Sequence, residues 1–312
     1  MDLIYAILGL IILVLAGDAL VRGAVNLALR LGIPALIVSL TIVSFGTSAP
    51  ELFISIGAVL EGAPGIAMGN VVGSNTANVL LVMGIPALIS GIDTHLSDTR
   101  KSYLVMMIAS LWFIALCFFG PLFWVHGVLL LIPLAVILTD QGLEARAHSR
   151  ARRNDEKVEG ADPRMPGWRI ALYLVLGLVG LPLGAHLLVD ASVNIATAMG
   201  VSETVIGLTL VAVGTSLPEL ATTVMAALRR QAEVALGNVI GSNLFNLLGI
   251  IGVASIFGEI PVEPAFLRFD LWVMLAASVV LGPFVLMRVN MSKRFGALLC
   301  ALYIAYVVVV LQ

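Results

Sequence analysis

Long apolar runs alternate with short polar connections along the whole chain. Runs long enough to cross about 30 Å of hydrocarbon fall at about 3–30, 33–60, 64–90, 100–119, 122–144, 168–198, 203–229, 233–258, 265–288 and 294–311. They predict an all-α polytopic membrane protein with ten transmembrane helices. The first, second, third and sixth to eighth runs exceed a straight crossing, which predicts tilted, protruding or broken helices. The N-terminal run lacks a basic leader and a small-residue cleavage site and is expected to be a retained helix. One long polar segment, residues 146–168, divides the chain almost in half. The expected organisation is a first five-helix unit at 1–145, a hydrophilic loop at 146–167 and a second five-helix unit at 168–312.

Composition agrees with the pattern. The 312 residues are 60% hydrophobic and 12% charged, too apolar for one soluble core. The placement of the charges is more informative than the net charge of −2. Of the 17 Lys and Arg residues, all but Arg22, inside the first run, and Arg268 fall on the side of the odd-to-even connections. The positive-inside rule then places both termini outside and the 146–168 loop in the cytoplasm. That loop mixes signs and is no nucleic-acid footprint. Cys117 and Cys300 stand far apart in apolar runs and form neither a metal motif nor a disulfide framework.

The polar residues inside the apolar runs repeat. "GTSAPE" at 46–51 returns as "GTSLPE" at 214–219, and "GNVVGSN" at 69–75 returns as "GNVIGSN" at 237–243. All align at one offset of 168 residues without a gap, as do Asn26 with Asn194 and Asn78 with Asn246. With an odd number of helices per unit, the second copy enters the membrane upside down. Inverted repeats with interrupted helices point to the midplane site of a secondary transporter. The expected centre packs helices 2, 3, 7 and 8 around one charged cavity.

Pro50 and Pro218 lack an N–H and clash with the carbonyl four residues back, at Gly46 and Gly214. A helix break is predicted there, with freed carbonyls near Ser44 to Thr47 that a cation would satisfy. Glu51 and Glu219 are too deep to snorkel, and intramembrane carboxylates are costly and usually functional. Two carboxylates with carbonyls and hydroxyls form an all-oxygen set for a hard cation such as Ca²⁺. Asn70, Ser74 and Asn78 line one helix face at i, i+4, i+8, and Asn238, Ser242 and Asn246 repeat the stripe. Gly69 with Gly73 and Gly237 with Gly241 read as close-packing surfaces. Asp18 with Arg22 and His186 with Asp190 read as structural i,i+4 pairs.

These paired motifs resemble those of the sodium/calcium exchanger family, prokaryotic type, within the cation/calcium antiporter superfamily. The resemblance covers the ten-helix layout and both repeats; the loop and helices 4, 5, 9 and 10 add little to it. It implies that Glu51 and Glu219 bind Ca²⁺ with the Thr47 and Thr215 carbonyls, and also take part in binding Na⁺. It implies a Na⁺ position toward the inside at Ser48, Ser74 and the backbone around Ser44. A second, toward the outside, is implied at Ser216, Ser242 and the backbone around Ala212, with Asn78 and Asn246 facing the middle. Some members carry an acid at the position of Asn246; the amide here weighs against a potassium-dependent subtype. Proton/calcium antiporters more often show a different first motif, which favours Na⁺.

The expected function is Ca²⁺/Na⁺ antiport by alternating access, running toward Ca²⁺ extrusion. The protein is then a lipid-embedded monomer of the cell membrane, with Ca²⁺ and Na⁺ as transported substrates and no organic cofactor. The resemblance also implies that the first and sixth helices slide across a rigid core. An H⁺/Ca²⁺ exchanger is the nearest alternative, because both carboxylates can titrate. A passive cation channel, or an intramembrane hydrolase using Ser48 or Ser216, is more distant; no His or Lys base accompanies either serine.

Overall fold

The computed structural model describes residues 2–94, 99–151, 162, 164–200 and 212–310. The described residues are helical apart from turns, and no strand is present among them. In chain order the helices are α1 (Asp2–Leu31), α2 (Ala35–Thr47), α3 (Ala49–Leu60), α4 (Pro64–Ser90), α5 (Arg100–Cys117) and α6 (Trp124–Ala151). They continue as α7 (Gly167–Ala198), α8 (Ala212–Thr215), α9 (Leu217–Leu228), α10 (Ala232–Phe257), α11 (Phe266–Leu286) and α12 (Lys293–Val310). Eight are long and apolar enough to cross a membrane; α2 and α3, bent by 43° at Ser48, form a ninth span if taken together. The seventh sequence run, 203–229, falls partly outside the described residues and reappears as α8 and α9.

Most boundaries lie within a few residues of the sequence expectation. The exception is α6, which was expected to end near residue 144 and runs to Ala151. Its extension, "EARAHSRA", is rich in good helix formers, so a polar composition does not stop it.

Burial separates the centre from the rim. In α4 and α10, 72% and 83% of the apolar stretch is buried, against 11% in α6, 17% in α12 and 22% in α7. The rim turns large apolar side chains outward, such as Leu3, Phe119, Ile132 and Ile304, as a lipid-facing surface requires. There are two apolar cores. One runs through α4, α5, α10, α11 and α12 with Met68, Phe113, Ile240, Leu247 and Leu281. The other lies between α1, α2, α7 and the start of α10, with Leu13, Leu20, Val38, Leu181 and Val234.

Helices α1 and α7 are closely paired through glycines. A Cβ on Gly9 would stand 2.8 Å from the Gly184 carbonyl oxygen, and one on Gly177 would stand 2.8 Å from the Leu20 Cα. Neither position admits a side chain without moving backbone, and small residues are what let membrane helices approach this closely.

Two short antiparallel bridges tie the connections. Ile92 and Met291 exchange N–H···O bonds of 3.0 Å each, and Leu122 and Ile260 exchange bonds of 2.8 Å each. Each bridge joins two connections that the charge pattern assigns to the same side.

Candidate functional site

The two "GTS-x-PE" stretches take nearly the same backbone form. Ser48 (φ −86°, ψ 5°) ends α2 and Ser216 (φ −86°, ψ 4°) ends α8. Pro50 and Pro218 then sit in the first turn of α3 and α9, where a missing N–H costs nothing. The next residues, Glu51 and Glu219, therefore also lie in a first turn, at the positive end of a helix. Both are buried, and they are close enough for their charges to interact. Side chains of α7 cover the two breaks: Leu178 lies against Gly46 and Val189 against Gly214.

A lattice of side-chain bonds holds the carboxylates. Asn70 donates through Nδ2 to the Glu51 carbonyl (3.1 Å) and to Ser55 Oγ (3.0 Å). Asn238 repeats this with the Glu219 carbonyl (3.3 Å) and Thr223 Oγ1 (3.1 Å). Asn238 also accepts from Thr47 Oγ1 at 3.3 Å, which links α2 to α10. Ser48 Oγ donates to Glu219 Oε1 at 3.0 Å, joining the first motif to the second carboxylate. Thr47, Ser48, Ser74, Ser216, Ser242, Asn78 and Asn246 are all buried with them, and Thr215 is half-buried. Ala212 opens α8 one turn before the break.

One expected ligand is already engaged. The Ser44 carbonyl accepts from the Ser48 N–H at 3.0 Å; the single proton of the Thr47 hydroxyl lies 3.3 Å in heavy-atom distance from this carbonyl and equally from Asn238 Oδ1. A carbonyl has two lone pairs, so one is left for a cation when the Thr47 hydroxyl donates to Asn238 instead. The Ser48 N–H is the ordinary helical partner of this carbonyl, four residues on, so the helix is intact up to Ser48; the donor that Pro50 removes is the one to Gly46. The Ser44 hydroxyl itself packs between helices, donating to Ser39 O at 2.7 Å with the Asn238 carbonyl at 3.2 Å. Gly241 makes room for it: a Cβ there would meet Ser44 Cβ at 2.8 Å. A Cβ on Gly237 would likewise meet Ser39 at 2.9 Å, so the second glycine pair is a packing surface.

The sequence reading missed two features. First, the amides are set on widened helical turns. Asn78–Val82 and Phe245–Ile250 are π-helical, and the Met83 N–H reaches back five residues to Asn78 O at 3.2 Å. Such turns recur at functional sites. Second, Asn75 and Asn243 cross-link α4 and α10. Each donates to the other's carbonyl, at 3.3 and 3.5 Å, and Asn243 Oδ1 accepts from Asn78 Nδ2 at 3.1 Å. The available signal was their place at the end of the repeated seven-residue motif.

Among the described residues, eight buried side-chain atoms around this centre have no hydrogen-bond partner. They are Glu51 Oε2, Glu219 Oε2, Ser216 Oγ, Ser242 Oγ, Asn75 Oδ1, Asn78 Oδ1 and both amide atoms of Asn246. Each costs about 1–3 kcal/mol when left unpaired. Such a concentration is what a binding site for polar or ionic cargo looks like. The atoms are almost all oxygens, two of them from carboxylates, so the set fits hard cations. No group of three His, Cys, Asp or Glu exists among the described residues, so the formal charge available here comes from Glu51 and Glu219.

Fold and site together define an integral membrane protein with a buried, oxygen-rich centre suited to cations. A family profile described as "sodium/calcium exchanger protein" matches residues 1–141 and 169–312, and the chain belongs to that family. It is 33% identical to the sodium/calcium exchanger MaX1 of Methanosarcina acetivorans, over 97% of this chain and 96% of that one. It is 34% identical to the inner membrane protein YrbG of Escherichia coli, over 88% and 85%. Among solved structures, the sodium-calcium exchanger NCX_Mj soaked with Na⁺ and Sr²⁺ superposes with a TM-score of 0.84 at 33% identity, covering 98% of this chain and 97% of that one.

Proposed function

We propose that this chain exchanges Ca²⁺ for Na⁺ by alternating access, running toward Ca²⁺ extrusion. The architecture we infer is ten spans in two inverted five-helix repeats, with both termini outside, the 146–168 loop cytoplasmic and a monomer as the working unit. Glu51 and Glu219 bind the cargo, with the Thr47 and Thr215 carbonyls completing the Ca²⁺ shell. Ser48 and Ser74 belong to one Na⁺ position, Ser216 and Ser242 to the other, with Asn78 and Asn246 between.

The observation that carries this reading is the cluster of eight unpartnered polar atoms, one from each of two buried carboxylates and six from the side chains around them. Two carboxylates balance one Ca²⁺ or two Na⁺, and a third Na⁺ leaves one net positive charge. Shared oxygens make simultaneous occupancy by both ions costly through repulsion in a low-dielectric cavity. Competition of this kind is what couples one ion to the other. The family membership and the exchanger relatives support Ca²⁺ and Na⁺ as the pair.

The test is Ca²⁺ uptake into proteoliposomes under an imposed Na⁺ gradient and, separately, a pH gradient. Uptake driven by the Na⁺ gradient is expected. Uptake driven only by the pH gradient makes the protein an H⁺/Ca²⁺ exchanger, and uptake needing no counter-ion makes it a channel.

A further inference from the structure

Helices α1 and α7 carry polar side-chain pairs at positions that the repeat makes equivalent. The 168-residue offset maps Asp18 onto His186 and Arg22 onto Asp190, so each helix holds an i,i+4 pair with the order of charges reversed. Both pairs form: Arg22 Nε to Asp18 Oδ2 at 2.9 Å, and His186 Nε2 to Asp190 Oδ2 at 3.2 Å. Asp18 has a further partner. The Arg229 guanidinium, just past the C-terminal end of α9, grips Asp18 Oδ1 through both Nε and Nη2. The offset maps Arg229 onto Glu61, just past the C-terminal end of α3. The counterpart of Asp18–Arg229 is therefore His186–Glu61, with the carboxylate and its partner again reversed.

That counterpart is not made in this conformation. The His186 side chain is 73% exposed beside Asp190, and Glu61 is exposed with no ion pair among the described residues. The packing is unequal in the same sense. Gly17 of α1 lies on α9, where a Cβ would meet the Ala221 carbonyl oxygen at 3.0 Å and Met225 Cγ at 3.3 Å. The equivalent face of α3 is Phe53 and Gly57. Phe53 is 73% exposed, and nothing stands within 4 Å of a Cβ on Gly57. Helix α1 packs along α9, whereas α7 makes no comparable contact with α3.

Two halves written on one plan but packed unequally describe one of two related states, which an inverted-repeat transporter interconverts by exchanging the roles of its halves. We propose that Asp18–Arg229 and His186–Glu61 are alternative latches for the α1–α7 pair, positioning residues for the transport step that lie outside the cation site. In the state described here α1 is latched to α9. In the opposite state Asp18 releases Arg229, α7 settles on the Phe53–Gly57 face of α3, and His186 takes Glu61. This inference rests on the alternating-access reading above.

The test uses the full chain with Cys117→Ala and Cys300→Ala, once that background is shown to exchange Ca²⁺. Two cysteine pairs are made in it: Asp18→Cys with Arg229→Cys, and Glu61→Cys with His186→Cys. Disulfide yield under a mild oxidant is compared in ion-free, Na⁺-saturated and Ca²⁺-saturated proteoliposomes. Both pairs are expected to cross-link, with yields that change in opposite directions between conditions. Each disulfide should stop exchange until it is reduced. Arg229→Gln, added to the 61/186 pair, should raise that pair's cross-linking by about fivefold, the worth of a partly exposed ion pair. Absence of the 61/186 cross-link under every condition, in protein that exchanges Ca²⁺, overturns the proposal and leaves the antiport reading standing. Exchange that persists through either disulfide also overturns it. A background that moves Ca²⁺ without any counter-ion strikes at the antiport reading instead.

Discussion

Glu51 and Glu219 bring the charge to the centre, and the residues around them decide how that charge is held. Replacing either by Gln leaves one carboxylate for a divalent ion. Loss of one partner of a buried charge costs about 3–5 kcal/mol, so Ca²⁺ exchange should fall by more than about a hundredfold, read as tracer uptake in proteoliposomes. Ser48→Ala removes the hydroxyl that donates to Glu219 Oε1. A hydrogen bond to a charged group is worth about 1.5–3 kcal/mol, so the Ca²⁺ concentration for half-maximal exchange should shift by about tenfold or more, in a direction that shows whether the bond preorganises the carboxylate or competes with the ion. No shift would show that Ser48 is a bystander. At this scale the sequence was legible wherever a polar residue was out of place in an apolar run and appeared twice. Asn75 and Asn243 were in view but carried no assignment, because their bonds run to backbone carbonyls on another helix. The Ser44 carbonyl shows the opposite failure: it was expected to be free beside the break, yet its ordinary helical partner, the Ser48 N–H, still donates to it.

At the level of elements, the broken α2–α3 span was readable because Pro50 acts on its own neighbours, a local effect. The π-helical turns at Asn78–Val82 and Phe245–Ile250 were not. An extra residue per turn is stabilised by what the displaced backbone meets on other helices, and no local pattern encodes that. Glycines divide into two groups with opposite expectations. Gly9 and Gly184 face backbone, so Gly184→Leu should force α1 and α7 apart. Overpacking of that kind costs about 1–3 kcal/mol or more and should lower the thermal unfolding temperature in detergent. Gly57 faces open space in this conformation, so Gly57→Leu should fold with an unchanged unfolding temperature. Exchange by that folded variant should nevertheless be slow if α7 must land on the same face of α3.

For the whole molecule, the apolar runs and the repeated polar motifs within them already point to a membrane transporter. They could not announce the driving ion, because Na⁺ and H⁺ compete for the same oxygens and differ only in energies that no motif spells out. The two bridges suggest which parts move as one. Residues that exchange both N–H···O bonds sit about 5.5 Å apart, within disulfide reach. Ile92→Cys with Met291→Cys should therefore cross-link readily. If both connections belong to one rigid body, exchange should continue at close to its normal rate with that disulfide closed. Arrest would show that the bridge opens during the cycle.

The reciprocal bond between Asn75 and Asn243 has a consequence of its own. Exchange the two halves of the chain and most contacts become different contacts: Ser48 with Glu219 turns into Ser216 with Glu51. The Asn75–Asn243 pair turns into itself. If transport trades the roles of the two halves, as proposed, this contact belongs to both roles and need not change. The pair would then be a fulcrum: the separation of these two asparagines should stay constant through a full turnover while the α1–α7 pair moves past it.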